Sequence, residues 1–276
     1  SSAASDVYKR QLYFYVYNLR QGYPYLYYTL SAITIIFMIA VPILTMRSFA
    51  EDRKNKTDQL MLTAPVPVAK VVLGKYLAML AVFTVDIAVF CVTPLILRAF
   101  GTIPMGESYI AILAFWLYGA ASIAVGMFIS ALTESQVIAA VLTFVVLFIS
   151  YMMQSLTGLI SSDGNWLTKI LNGLDLYAPF EKFQGGCLDI TAILYYVTVI
   201  VLFNFFTVQA IQKRRWSISK KTFSLSVFSS SFIVVVFALA VVANLAVDAL
   251  PTRITSVDCS YSKLYSITTV SYTHLT

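Results

Sequence analysis

A strip of charge interrupts the chain between Arg47 and Tyr76, "RSFAEDRKNKTDQLMLTAPVPVAKVVLGKY". Glu51, Asp52, Arg53, Lys54 and Lys56 crowd into it, in a protein only 12% charged. Carboxylates, ammonium groups and a guanidinium at this density suit charge-assisted hydrogen bonding to a polar partner. Phe49, Leu60 and Leu62 are interspersed with them, and Pro65 and Pro67 in "APVPV" cannot continue a helix. The strip reads as a short helix at a membrane surface ended by a rigid turn, or as a solvated basic loop. Bond-breaking chemistry has little to work with. The single His274 lies at the extreme C-terminus, the three cysteines form no CxxC pair, and no HExxH or GxSxG motif occurs. There is no GxxxxGK[ST] loop, so no P-loop holds ATP in this chain.

A second group of polar residues sits inside apolar runs. Asp86 lies near the middle of one, where an ionisable side chain costs about 2.5 to 3.5 kcal/mol to insert and must face a bundle interior or a wet cavity. It is a candidate pathway or gating residue, or it is polar glue to Asn204 or Gln209 of a later run. Ser122, Gly126 and Ser130 recur at steps of four, a spacing that lets helices approach closely, either within the chain or at a dimer seam.

The elements that position these residues follow from composition. A sequence of 276 residues that is 59% hydrophobic and 14% aromatic, with a mean hydropathy of +0.80, exposes more apolar surface than one soluble core can hide. Six runs are long enough to cross a bilayer as helices: Tyr25 to Met46, Tyr76 to Leu97, Ser108 to Ser130, Val137 to Leu159, Ile190 to Ile211 and Ser226 to Val247. A stub, Leu12 to Tyr17, reads as the end of a truncated first helix. The expected fold is therefore all-α, a polytopic membrane helical bundle. No internal repeat or matched pair of broken helices marks an inverted-repeat carrier.

Orientation follows from Lys and Arg. With the strip in the cytoplasm, that side collects Arg47, Arg53, Lys54, Lys56, Lys70, Lys75, Lys213, Arg214, Arg215, Lys220 and Lys221, against six basic residues on the other side. The net charge of +6 is thus explained by topology without invoking nucleic acid. Tyr23, Tyr25, Tyr27 and Tyr28 would form an outer interfacial belt, with Trp216 an inner anchor. The expected location is a bacterial plasma membrane, with 47–75 and 212–225 cytoplasmic and 160–189 and 248–276 outside. In the long outer loop, Trp166, Ile170, Leu171 and Leu174 mark one face of a short amphipathic helix.

The two ends, 1–11 and 270–276, resemble translated adapter or assembly sequence and are set aside. Between them, 12–212 reads as one membrane domain, 213–225 as a basic linker, 226–247 as an extra membrane anchor and 248–269 as the start of an outer domain. "RITSVDCS" there alternates as an edge strand would. Cys187 and Cys259 both fall outside and could pair or stand as two unrelated thiols.

The run "ILTMRSFAEDRKNKTDQLMLTAPVPVAKVVLGKYLA" resembles the signature of ABC-2-type transporter permeases, particularly the branch grouped with gliding-motility-type ABC systems, and the likeness extends over most of Tyr25 to Ile211. The resemblance implies that 47–67 is the coupling helix, which docks on the nucleotide-binding subunit. Glu51, Asp52, Arg53, Thr57, Gln59 and Leu60 would then face the ATPase, and Pro65 would fix the exit angle. Many relatives carry Gly before the Thr, where this chain has Lys56. "APFEKFQGGCLDI" is similar to the segment preceding the last core helix, where outer re-entrant helices cap the pathway. The 226–269 region resembles the anchor and first strand of the gliding-motility-type auxiliary domain.

The resemblance implies a non-enzymatic permease subunit of an ATP-driven exporter. It would pair with a second permease unit and an ABC ATPase, be surrounded by lipid, and leave ATP and Mg to the ATPase. Two other functions fit the residues: a mechanical complex acting on an envelope partner without moving a solute, and a membrane anchor without transport.

Overall fold

Among the described residues, five helices long and apolar enough to cross a membrane organise the computed structural model of the chain. It describes residues 16, 26–57, 66–98, 105–160, 173, 175–183, 187–213, 235–239, 241–244, 246 and 256–258. In chain order the elements are α1 (Leu26–Thr45), α2 (Ala50–Lys54), α3 (Val68–Arg98), α4 (Met105–Leu132), α5 (Gln136–Ile160), α6 (Ala178–Glu181), β1 (Cys187–Asp189), α7 (Ile190–Gln212) and β2 (Ser256–Asp258). The all-α polytopic bundle expected from hydropathy is the fold observed. Among the described residues, two three-residue strands interrupt it.

α4 is the central helix, packed on α1, α3, α5 and α7. Its sequence explains that position. Ala111, Ala114, Ala120, Ala121, Ser122, Ala124, Gly126, Ser130 and Ala131 are all buried, and small side chains let four neighbours approach one backbone. At Gly126 a Cβ would stand 2.5 Å from Thr45 Oγ1 of α1 and 3.0 Å from Thr143 Cγ2 of α5, so two helices close on the same glycine. The Ser122, Gly126, Ser130 row therefore lies within the chain's own packing. Five buried hydroxyls in the bundle are satisfied locally. Thr34, Thr45, Ser122, Thr143 and Thr207 each donate to the carbonyl four residues back.

Two departures from the sequence expectations bear on the site. The span expected to start at Tyr76 starts at Val68, because Pro67 opens the helix: its carbonyl accepts from Lys70 N at 3.0 Å, and no breaker follows. α3 thus has 31 residues, about 46 Å of helix against about 30 Å of hydrocarbon, and its first turns carry Lys70 and Lys75 beyond the apolar part. The charged strip is also not one helix running to the prolines. α2 ends at Lys54, and the chain turns at Lys56, whose φ is 57°. Gln59, Leu60 and Pro65 lie outside the described residues, as do the Leu12 to Tyr17 stub apart from Val16, the Trp166 to Leu171 face with Leu174, and Cys259. The Ser226 to Val247 span is described at 235–239, 241–244 and 246, and is helical there.

Candidate functional site

The structure gathers the 47–57 part of the charged strip onto the end of the bundle that the Lys and Arg asymmetry assigns to the cytoplasm. α1 ends at Thr45, the chain reverses through Met46 to Phe49, and α2 lies across the ends of α4 and α3. Ser130, in the last turn of α4, does what a side-chain cap on α2 itself would do. Its Oγ accepts from Phe49 N and Ala50 N, each at 3.1 Å, and donates to Met46 O at 3.2 Å. Phe49 at the N-cap has no side-chain oxygen, so a serine 81 residues away takes that place. Ser130, Phe49 and Ala50 are all buried.

Two ion pairs surround this buried bond set. Lys75 of α3 reaches Ser48 O and Asp52 Oδ2, and its Nζ stands 4.5 Å from the centre of the Phe49 ring. Arg53 bridges to the far end of α4, donating to Leu132 O at 2.7 Å and to Glu134 Oε1 at 2.8 Å. Both pairs are open to water, so each contributes at most about 1 kcal/mol. Their value is geometric, because each fixes α2 to a different helix.

The turn after α2 explains a departure seen in the sequence. Asn55 N, Lys56 N and Thr57 N donate to Glu51 O, Arg53 O and Asp52 O, and Thr57 Oγ1 approaches Asp52 Oδ1 at 3.3 Å. Closing that turn requires a positive φ at position 56, a conformation that glycine adopts without cost. The glycine that the family resemblance implies at this position would meet that backbone requirement without strain; this chain meets it with lysine. Lys56→Gly is expected to stabilise the folded chain by about 1 kcal/mol, read as a higher thermal midpoint; Lys56→Val is expected to lower it.

Asp86 is half-buried on α3 and makes no hydrogen bond with Asn204, whose Nδ2 is committed to Ile200 O of its own helix at 2.8 Å. Asn204 Oδ1 is buried without a hydrogen-bond partner among the described residues. Gln209 lies on α7, one helical turn and a residue beyond Asn204. No group of three or more metal-ligating side chains occurs among the described residues.

The opposite end is closed by aromatic rings. α6 inserts Phe180 among Tyr27, Phe115 and Tyr118, with centroids 5.1, 6.2 and 6.3 Å away, and Tyr177 stands 4.8 Å from Tyr151. Buried Asp175 starts this plug by accepting from Tyr177 N at 2.8 Å and Ala178 N at 3.0 Å. Leu176 is clamped by Ser150 Oγ and Tyr196 Oη. Burial pushes the Asp175 carboxyl above its ordinary range, against the opposing pull of the two amides. A raised folded value means that the protonated form favours folding. The contribution is full below the ordinary carboxylate pKa and is lost as pH rises through the folded value. Hydrogen exchange at 175–183, corrected for intrinsic rates, should therefore be slower at mildly acidic pH than at neutral pH, and Asp175→Asn should remove that difference.

Residues 4–184 match the family described as ABC-2 family transporter protein. The chain belongs to the ABC-2 transporter family. The match covers the braced strip and four of the five long helices. No curated protein and no solved structure matches the chain. An ABC-2 membrane component is a multi-pass, non-enzymatic subunit that works with an ABC ATPase, and the five apolar helices suit that part. Of the residues that resemblance assigns to ATPase contact, Asp52 and Arg53 have partners within the chain, Glu51 is half-buried, and Thr57 is exposed on the turn. Lys75, Glu134, Ser150 and Asp175 had no such role from sequence. Only the "GKY" run, placing Lys75 just before an apolar stretch, hinted at one of them.

Proposed function

We propose that this ABC-2 component is the permease subunit of an ATP-driven exporter of the gliding-motility branch, and that the Met46–Thr57 element receives the ATPase's movement. The observation that carries this reading is the bracing of α2 by Ser130, Lys75 and Arg53 to two membrane helices at once. A loop serving only topology has no need of three separate attachments. Displacing α2 must displace α3 and α4, and α4 touches α1, α3, α5 and α7. ATP and Mg stay with the ATPase, and a second permease unit completes the exporter.

The test is co-reconstitution of the chain with an ABC ATPase encoded beside it, with a photo-crosslinking side chain at Asn55. ATPase stimulation together with a crosslink to the ATPase is expected. A chain that neither stimulates nor crosslinks overturns the reading.

One observation favours the mechanical alternative. β2 pairs antiparallel with β1, setting Asp189 opposite Ser256, and Asp189 is also the N-cap of α7, accepting from Thr191 N at 2.8 Å. Movement of α7 would thus reach the segment that leads into the outer region. Under that reading, ATP hydrolysis would continue while no solute crosses a sealed vesicle.

A further inference from the structure

Resting on the ATPase-coupling reading, we infer that the charged strip divides its labour: Asp52 and Arg53 are bracing residues, and the exposed turn from Lys54 to Thr57 is the contact face, complementary to an acidic groove on the ATPase. Charge bookkeeping at this end of the bundle leads there. Asp52 is neutralised by Lys75, and Arg53 by Glu134. Arg47, Lys54 and Lys56 remain exposed, with no ion pair to another described residue. Half-buried Glu51 is the acidic side chain left in the element once Asp52 is paired. Within 46–57 the free face is therefore basic, although the strip as written looks mixed in sign; Asp58, the next residue in the sequence, lies outside the described residues.

The turn's construction favours a protein groove over a lipid surface. Attraction to anionic headgroups requires only positive charge near the membrane and tolerates a loose loop. Here three backbone bonds and a threonine hydroxyl hold the turn in one shape, at the expense of a positive φ at a lysine. Asn55 and Thr57, both exposed and uncharged, share the face and offer hydrogen bonds whose direction matters to a shaped partner. The bracing that fixes the turn to α3 and α4 serves a contact that transmits force. Long-range complementarity of this kind acts chiefly on association rate and salt dependence.

The experiment compares variants of the full-length chain in zwitterionic nanodiscs, titrated with the ATPase. Lys54→Glu with Lys56→Glu is expected to weaken ATPase binding about tenfold or more at low ionic strength, and added salt should weaken wild-type binding in parallel. Lys54→Gln with Lys56→Gly, which keeps the turn geometry, should fall between the two and guards against a folding artefact. Asp52→Asn with Lys75→Met should bind the ATPase within about threefold of wild type yet lose ATPase stimulation. Unchanged binding by the charge-reversed chain overturns the inference while leaving the coupling reading intact. So does a loss seen only for vesicles of anionic lipid. A wild-type chain that never engages the ATPase overturns the coupling reading itself, and the division of labour falls with it.

Discussion

Gly126→Leu is expected to abolish the monodisperse folded chain. A Cβ alone would press on Thr45 of α1 and Thr143 of α5, and neither can retreat. Both are β-branched and stiff at χ1, and both spend their hydroxyls on their own helix, at 2.9 Å to Val41 O and 2.7 Å to Ala139 O. Overpacking a fixed contact costs about 1–3 kcal/mol or more, and here it would separate two helices from the central one. Fluorescence-detected size exclusion after mild heating is the direct measurement. Gly74→Ala is the matched control. Nothing lies within 4 Å of its Cβ position, and it sits mid-helix in α3, so a gain of about 0.5–1 kcal/mol is expected.

Ser130→Ala is expected to leave the chain folded in the membrane and to end its coupled activity. The substitution deletes one oxygen but orphans three backbone groups: Phe49 N, Ala50 N and Met46 O. A buried polar group left without a partner costs about 1–3 kcal/mol, enough to detach α2 from α4 without dismantling the helices beneath. Labelling of a cysteine placed at Asn55 should become faster and less selective, and ATPase stimulation should fall. Ser122→Ala separates this from mere loss of a hydroxyl. Ser122 is equally buried and on the same helix face, yet its Oγ donates to Tyr118 O of its own helix, so the change should cost little. If the two alanine variants behave alike, the brace has no special role.

Much of this architecture was legible because a bilayer makes hydropathy a ruler. The ends of α1, α4, α5 and α7 fall within three residues of the expected spans, since leaving hydrocarbon and leaving the helix coincide there. α3 broke that coincidence. Its first turns are polar enough to stand in water, so apolarity marked where the membrane begins and missed where the helix does. The brace was legible only as its parts. Ser130 looked like a small packing residue and Lys75 like one more inner cation, because their partners lie 80 and 23 positions away in the chain. Asp175 was hidden for the same reason: a carboxylate in a loop reads as solvated until Phe180 and its aromatic neighbours are seen to bury it. Lys56 was marked in sequence only as a departure from the resembled pattern, and the positive φ found there gives that departure its physical meaning.

Under the proposed coupling, the overlong α3 sets how far an ATPase would have to push. Lys75 precedes Asp86 by 11 residues, about 16 Å along the helix axis. Were α3 to pivot near Asp86 by about 10°, its Lys75 end would sweep sideways by about 3 Å, roughly the length of one hydrogen bond. Under that reading, a stroke of that size at α2 would be geared directly to a tilt in mid-membrane. Shortening the arm by one turn between Lys75 and the pivot would demand a steeper tilt for the same stroke.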